Sequence, residues 1–332
     1  MNIKVKDILG KMALEYALEN KHEAVAWLLK YGPEMESRNN QGHTMLHWAA
    51  ANWHEAVVRL LFEKGADVAV KTKSNKKWMA LHLVALNGHE AVVQLLLEKG
   101  ANVKVKDAME ATALHLVAES GPEAVVRLLL EKGADIDAKA PNGQTSLYSA
   151  AIKGYEAVVR LLLEKGADIE ARTSGEWTVL YGAAQNGHEA VVWLLFEKGA
   201  DIEARMTTGG TALLIAAQSG HRAVVQLLLK KGADIKARTT ATRLTSLHSA
   251  AMKGHEAVVQ LLLKKRADVE TKSTNGVTAL HMAAKNGYRA VVQLLLEKGA
   301  DVKAKLTNMS TALHLAAKNG HEVVVQLLPR YR

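Results

Sequence analysis

Glycine recurs at Gly100, Gly133, Gly166, Gly199 and Gly232 in steps of 33 residues, each time closing nearly the same phrase. A chain with so regular a period folds as a row of like units, because each unit carries the same local signals and meets the same neighbours. The repeat outweighs length as a guide. A single core stops growing near about 250 to 300 residues, so 332 residues would otherwise read as two or three domains. Repetition lifts that limit by building the core in a line.

The phrase is written out as EAVVRLLLEKGADIDAK from Glu123 to Lys139 and RAVVQLLLEKGADVKAK from Arg289 to Lys305. Val125, Val126, Leu128, Leu129 and Leu130 form a broad apolar helical stripe, with Glu123 at its start and Lys132 at its end to complement the helix dipole. Gly133 supplies the left-handed residue that closes a helix. A shorter helix precedes, as in TALHLVA from Thr112 to Ala118, with Thr112 as N-cap and alanines that permit close packing. The unit is therefore helix, turn, helix and extended loop. It is apolar on both flanks, so it must stack on its neighbours.

TALH, GHEAVV and LLLEKGAD follow one another in that order throughout, and in this the chain resembles the ankyrin repeat family over nearly its whole length. The TxLH signal stands at Thr44–His47, Thr112–His115, Thr245–His248, Thr278–His281 and Thr311–His314, while Tyr148, Tyr181 and Leu214 replace its histidine elsewhere. The resemblance implies an all-α solenoid of helix-turn-helix units with extended loops, curved, with a concave binding face and no enzymatic activity. First helices at Ala13, Leu46, Leu81, Leu114, Leu147, Leu180, Leu213, Leu247, Leu280 and Leu313 give ten repeats in one domain over 1–332. Its parts are a degenerate capping repeat at 1–32, central repeats at 33–298 and a truncated repeat at 299–332. At roughly 8 to 10 Å per helix neighbour such a stack is on the order of 90 Å long.

Some departures from the period are informative. Two extra residues fall between Gly65 and Gly100, and one between Gly232 and Arg266. Trp53 and Arg266 replace turn glycines and should carry a backbone cost. The final helix before Pro329 carries Val323, Val324, Val325, Leu327 and Leu328 with little polar cover, so the chain is expected to be a monomer whose C-terminal end either frays or offers a surface for self-association.

The resemblance places binding on the loops and first helices. The sixth residue after each repeat glycine, or after Arg266, is Arg38, Lys71, Lys106, Lys139, Arg172, Arg205, Arg238, Lys272 or Lys305, a ladder of positive charge. Family members usually carry aspartate at the next position; here stand Asn39, Thr72, Ala140, Thr173, Met206, Thr239, Ser273 and Leu306, with only Asp107 retained. The expectation is an electropositive loop face stripped of its counter-charges, with Met206 and Leu306 as exposed apolar contacts. Trp48, Trp53 and Trp78, with His43 beside them, are either groove anchors or inter-repeat packing, and Trp177 stands alone further on. Lys76, Lys77, Met79, Met109, Gln144, Arg243 and Leu244 complete the candidate contacts. Trp27 and Trp193 lie in second helices and read as packing or surface residues.

Little else in the chain suggests chemistry. Thirteen of the fourteen histidines fall at two repeat positions, the TxLH site and the opening of the second helix, which favours a structural role over metal binding or catalysis. No phosphate-binding loop, dinucleotide fingerprint or nucleophile elbow is present, and no cofactor is expected. The absence of cysteine, of an apolar membrane span and of a signal-peptide run suggests the cytosol or nucleus. Uniform second helices, no cysteine and variation confined to loops and first helices mark a consensus-like or engineered sequence, or a long natural array.

The reading is a non-enzymatic scaffold holding an acidic or extended protein or peptide by tryptophan anchors and the basic ladder. The alternative, favoured by a net charge of +9, is polyanion or nucleic-acid binding along the loop face. Cations one repeat apart, about 10 Å, are spaced more widely than successive phosphates.

Overall fold

The computed structural model describes residues 38–39 and 42–331, so the expected capping repeat over 1–32, and Trp27 with it, lie outside the described residues. These residues form eighteen α-helices and no strand; isolated antiparallel bridges join Lys106 to Thr112 and Arg172 to Thr178 across loop bases. The chain divides into two compact units, 38–150 with 157–167 and 151–156 with 168–331.

The first unit contains α1 (Met45–Ala51), α2 (Glu55–Glu63), α3 (Ala80–Asn87), α4 (Glu90–Glu98), α5 (Ala113–Ser120) and α6 (Glu123–Glu131), followed by the start of α7 (Ser146–Lys153) and most of α8 (Glu156–Glu164). The second runs through α9 (Val179–Gln185), α10 (Glu189–Glu197), α11 (Ala212–Ser219), α12 (Arg222–Lys230), α13 (Ser246–Lys253), α14 (Glu256–Lys264), α15 (Ala279–Lys285), α16 (Arg289–Glu297), α17 (Ala312–Lys318) and α18 (Glu322–Leu327), and ends in a 3-10 turn at Leu328–Tyr331. Within each unit, odd-numbered helices pack on odd-numbered helices and even on even, so each unit is two parallel layers.

Local sequence explains each pair. The first helix starts where an extended threonine such as Thr112 (φ −91°, ψ 167°) caps it, and its alanines are buried completely, letting backbones of neighbouring first helices approach. The second helix turns Val125, Val126 and Leu129 inward, each wholly buried, and meets solvent with Glu123 and Arg127, which pair at 2.7 Å. It ends at Lys132, after which Gly133 takes φ 82°. Removing one such leucine would cost about 2 to 5 kcal/mol, since nothing can move into the space.

Candidate functional site

Four histidines at the TxLH position, His47, His115, His248 and His281, are inter-repeat clasps. In the first unit, the Thr44 backbone N–H donates to His47 Nδ1 at 3.2 Å, and His47 Nε2 donates to the Trp78 carbonyl of the next repeat at 3.2 Å. A backbone amide can only donate, so Nδ1 must accept and the proton sits on Nε2. His115 makes the same pair with Thr112 and the Gln144 carbonyl, and in the second unit His248 and His281 do so with the Val277 and Ala304 carbonyls. Burial strips these imidazoles of the water that would solvate a charge, and the pKa of His47 falls to about 4, with lowered values also at His82, His115, His248 and His281. With both ring nitrogens engaged, His47, His115, His248 and His281 have none to offer a metal; the buried Nε2 of His82 has no partner, but among the described residues no three metal-capable side chains cluster.

The second-helix histidines reach back the other way. His188, His221, His255 and His321 donate from Nε2 to the carbonyls of Ile152, Gln185, Gln218 and Lys285, each at 2.9 Å. The turn glycines make room: a Cβ on Gly187 would sit 2.5 Å from the ring of His221. Trp53 breaks this arrangement, as its departure from glycine suggested. It holds φ 67°, is 67% exposed, and lays its ring 4.3 Å from that of His89, whose buried Nε2 has no partner.

The loop face corrects several sequence expectations. The position that follows the ladder cation clamps the loop tip wherever its side chain can accept a hydrogen bond, which Ala140, Met206 and Leu306 cannot. Asp107 Oδ1 accepts the Met109 and Ala111 amides, while Thr72, Thr173, Thr239 and Ser273 use hydroxyls to accept the Trp78, Trp177, Leu244 and Val277 amides. The neutral replacements keep the geometry and drop the charge. Counter-charge is not wholly lost, because Lys106 pairs with Glu110 and Arg172 with Glu176, each at 3.2 Å. Both glutamates sit at left-handed loop tips (φ 58° and 61°) that bring them back beside the cation.

Nor is the ladder a row of loose charges. Arg38 donates to the Lys71 carbonyl at 2.7 Å in the first unit, and Arg172 and Arg205 donate to the carbonyls of Arg205 and Arg238 at 2.8 and 3.1 Å in the second. Arg238 reaches the Lys272 carbonyl at 3.4 Å. Lys71, Lys139, Lys272 and Lys305 remain exposed.

Met79 is a core residue, 4% exposed at the N-cap of α3, because its unbranched side chain fills the place of a capping threonine. Met206 is half-buried with its sulfur over Gly210, and Leu306 is half-buried too, so neither is the freely exposed contact expected. Lys76, Lys77, Met109 and Arg243 are exposed, whereas Gln144, Leu244 and Trp177 are half-buried, the last with its ring 5.6 Å from that of Tyr181. Trp48 is half-buried and stacks on His54 at 5.1 Å.

Around Trp78 the first unit opens into a groove of about 850 Å³, lined by Arg38, His43, Lys73, Lys76, Trp78 and Leu83 among others. Trp78 bridges packing and exposure: its Nε1 donates to Asp107 Oδ2 at 2.7 Å, and the Lys76 ammonium lies 4.2 Å over its ring. His43, Lys76 and Trp78 are thus brought together; Trp53 does not line this groove. Sequence reading missed a second groove of about 490 Å³ in the second unit, where Met252, Val277, Met282, Leu306 and Leu315 meet Lys285 and Lys318. Met282 and Leu315 lie in the same register position as Trp48 and Leu83, a signal the sequence held.

Paired short helices with extended loops, stacked through like faces, define an all-α repeat solenoid. The chain belongs to the ankyrin repeat family: the model "Ankyrin repeats (3 copies)" matches residues 1–72, 69–140, 135–206, 170–239 and 236–306, and "Ankyrin repeat" matches 308–328. Among solved structures it is similar to the ankyrin repeat domain of Bcl-3, described as a unique member of the IkappaB protein family. The TM-score is 0.56 at 31% identity, over 66% of this chain and 98% of that one. No curated protein matches the chain. Ankyrin repeats generally mediate protein–protein interaction, and proteins built from them are typically non-enzymatic scaffolds. No helix among the described residues is long and apolar enough to cross a membrane.

Proposed function

We propose that this protein is a non-enzymatic scaffold of the cytosol or nucleus that holds an acidic or extended protein segment in the groove of the first unit. Trp78 is its anchor, and Arg38, Lys73 and Lys76 orient carboxylates along the rim. The observation that supports this is the groove itself, where a half-buried indole and several cations line one concavity of about 850 Å³. An aromatic anchor in a partly desolvated groove is the arrangement that concentrates binding energy at protein interfaces, where truncation costs roughly 2 kcal/mol or more. Lys71, Lys106 and Lys139 in the first unit, and Lys272 and Lys305 in the second, add long-range steering of anionic partners.

Affinity capture from nuclease-treated and untreated lysate tests the proposal, at about 50 and 200 mM salt, over which phosphate-dominated binding falls by orders of magnitude. Trp78→Ala is the control bait, and Trp78→Phe, which keeps a ring but loses the bond to Asp107, separates anchoring from packing. A protein that survives nuclease and salt, is lost with Trp78→Ala and is kept by Trp78→Phe supports the proposal. Retention only of nuclease-sensitive, salt-sensitive material would overturn it and make the ladder a nucleic-acid surface.

A further inference from the structure

The second groove differs in kind from the first. Its floor is aliphatic and sulfur-bearing, with Met252 at the end of α13, Met282 in α15, Leu315 in α17 and Val277 and Leu306 in the loops between them, all half-buried. Its volume of about 490 Å³ falls in the range of about 300 to 1,000 Å³ typical of ligand sites. Folding does not require this combination, since the corresponding positions elsewhere include Ser149, Gly182 and Ser249 beside the apolar Leu83, Leu116 and Ile215, and Gln185 and Gln218 beside Leu86 and Ile152. Unbranched, polarisable methionines make an adaptable surface for apolar side chains.

Charge around this floor has one sign. Lys285 and Lys318 edge the groove and Lys253 adjoins Met252; all three are exposed and form no ion pair among the described residues. Loop tips 206–211, 239–245, 273–278 and 306–311 contain no Asp or Glu, nor do α11, α13, α15 and α17. Low-dielectric walls beneath unpaired ammonium groups favour an anion at the rim and an apolar group below it.

We infer that this groove docks an acidic protein segment that inserts a bulky aliphatic or aromatic side chain between Met252, Met282 and Leu315 and sets flanking carboxylates against Lys285 and Lys318. A nucleic acid would use the cations and leave the floor unfilled. A second copy of this chain, at net charge +9, is repelled from so basic a face. The groove is separate from the tryptophan groove and shares with the proposed function only a general role in protein binding, so the two stand or fall independently.

Panning the full chain against displayed random peptides of about 15 residues, long enough for one helix or strand, tests the inference. Enriched peptides are titrated against wild type, the double variant Met282→Ala with Leu306→Ala, the double variant Lys285→Glu with Lys318→Glu, and Trp78→Ala, with circular dichroism melts confirming each fold. The expected class is rich in Asp and Glu around a Leu, Phe or Met, loses about tenfold or more in affinity with either double variant, and is unaffected by Trp78→Ala. Replacing its large apolar residue with alanine should cost a similar factor. If no enriched peptide responds to the Met282 and Leu306 pair, or if those that do carry no excess of acid or bind as well without the apolar residue, the inference is overturned.

Discussion

Arg266 offers a direct measurement of what the turn glycines contribute. It holds φ 65° after α14, where the seven described glycines at the same place hold φ from 82° to 96°. A Cβ built on any of those seven meets nothing within 4 Å, so the penalty at Arg266 lies in its own backbone and not in a clash. The left-handed region costs an L-residue roughly 1 to 2 kcal/mol, whereas glycine loses about 0.5 to 1 kcal/mol through its freer unfolded chain. Arg266→Gly should therefore stabilise the protein by roughly 0.5 to 1 kcal/mol. The arginine also gains about 0.3 to 1 kcal/mol from the helix C-terminus at low salt, partly offset by Lys264 and Lys265 beside it. That contribution fades near 1 M salt, where screening acts over about 3 Å. With a urea dependence of about 1 to 3 kcal/mol per molar, the denaturation midpoint at high salt should rise by a few tenths molar, and Gly232→Arg should lower it by a similar amount. An unchanged or lowered midpoint for Arg266→Gly would refute the argument.

Two further predictions concern stability. The buried histidines are held neutral, with folded pKa values below the ordinary 6.5, so the unfolded chain binds more protons as pH falls. Their contribution is complete above about pH 6.5 and is lost progressively towards the folded value, about 4 for His47. Denaturant midpoints at pH 7.5 and 5 should fall with acid, by up to about 1.4 kcal/mol per pH unit for each such histidine, and a flat profile would show that protonation leaves the clasps intact. Ser246 opens α13 with its hydroxyl buried and unpaired, where α15 and α17 place Ala279 and Ala312. Ser246→Ala should gain about 1 kcal/mol in chemical denaturation, and a loss would mean the hydroxyl has a partner in solution.

The period, the helix boundaries and the caps were legible in the sequence because they depend on residues close together in the chain. Thr112, Gly133 and the stripe from Val125 to Leu130 behave as their local chemistry requires. The loops were less legible. That Glu110 and Glu176 return to their ladder cations depends on left-handed tips, and that Arg172 and Arg205 spend their guanidinium groups on carbonyls of the next repeat depends on how closely loops stack. Sequence positions carry neither fact. Met79 was misread for a related reason: at a capping position its side chain can run inward, and only the packing around α3 decides it. The second groove was missed because its residues come from three repeats, and no one of them is unusual alone.

The clasps between repeats have one property in common: nearly every one ends on a main-chain carbonyl. His115 grips Gln144, His221 grips Gln185, and Arg205 grips Arg238, in each case by the oxygen that any residue would offer. As hydrogen bonds, these clasps do not depend on the side chain of the residue they grip, provided that glycine stands at the turn beside each second-helix histidine. Within a unit, a repeat can be duplicated, deleted or exchanged for another without rewriting its neighbours, so such a protein can acquire a new binding specificity by shuffling whole modules as well as by changing single residues.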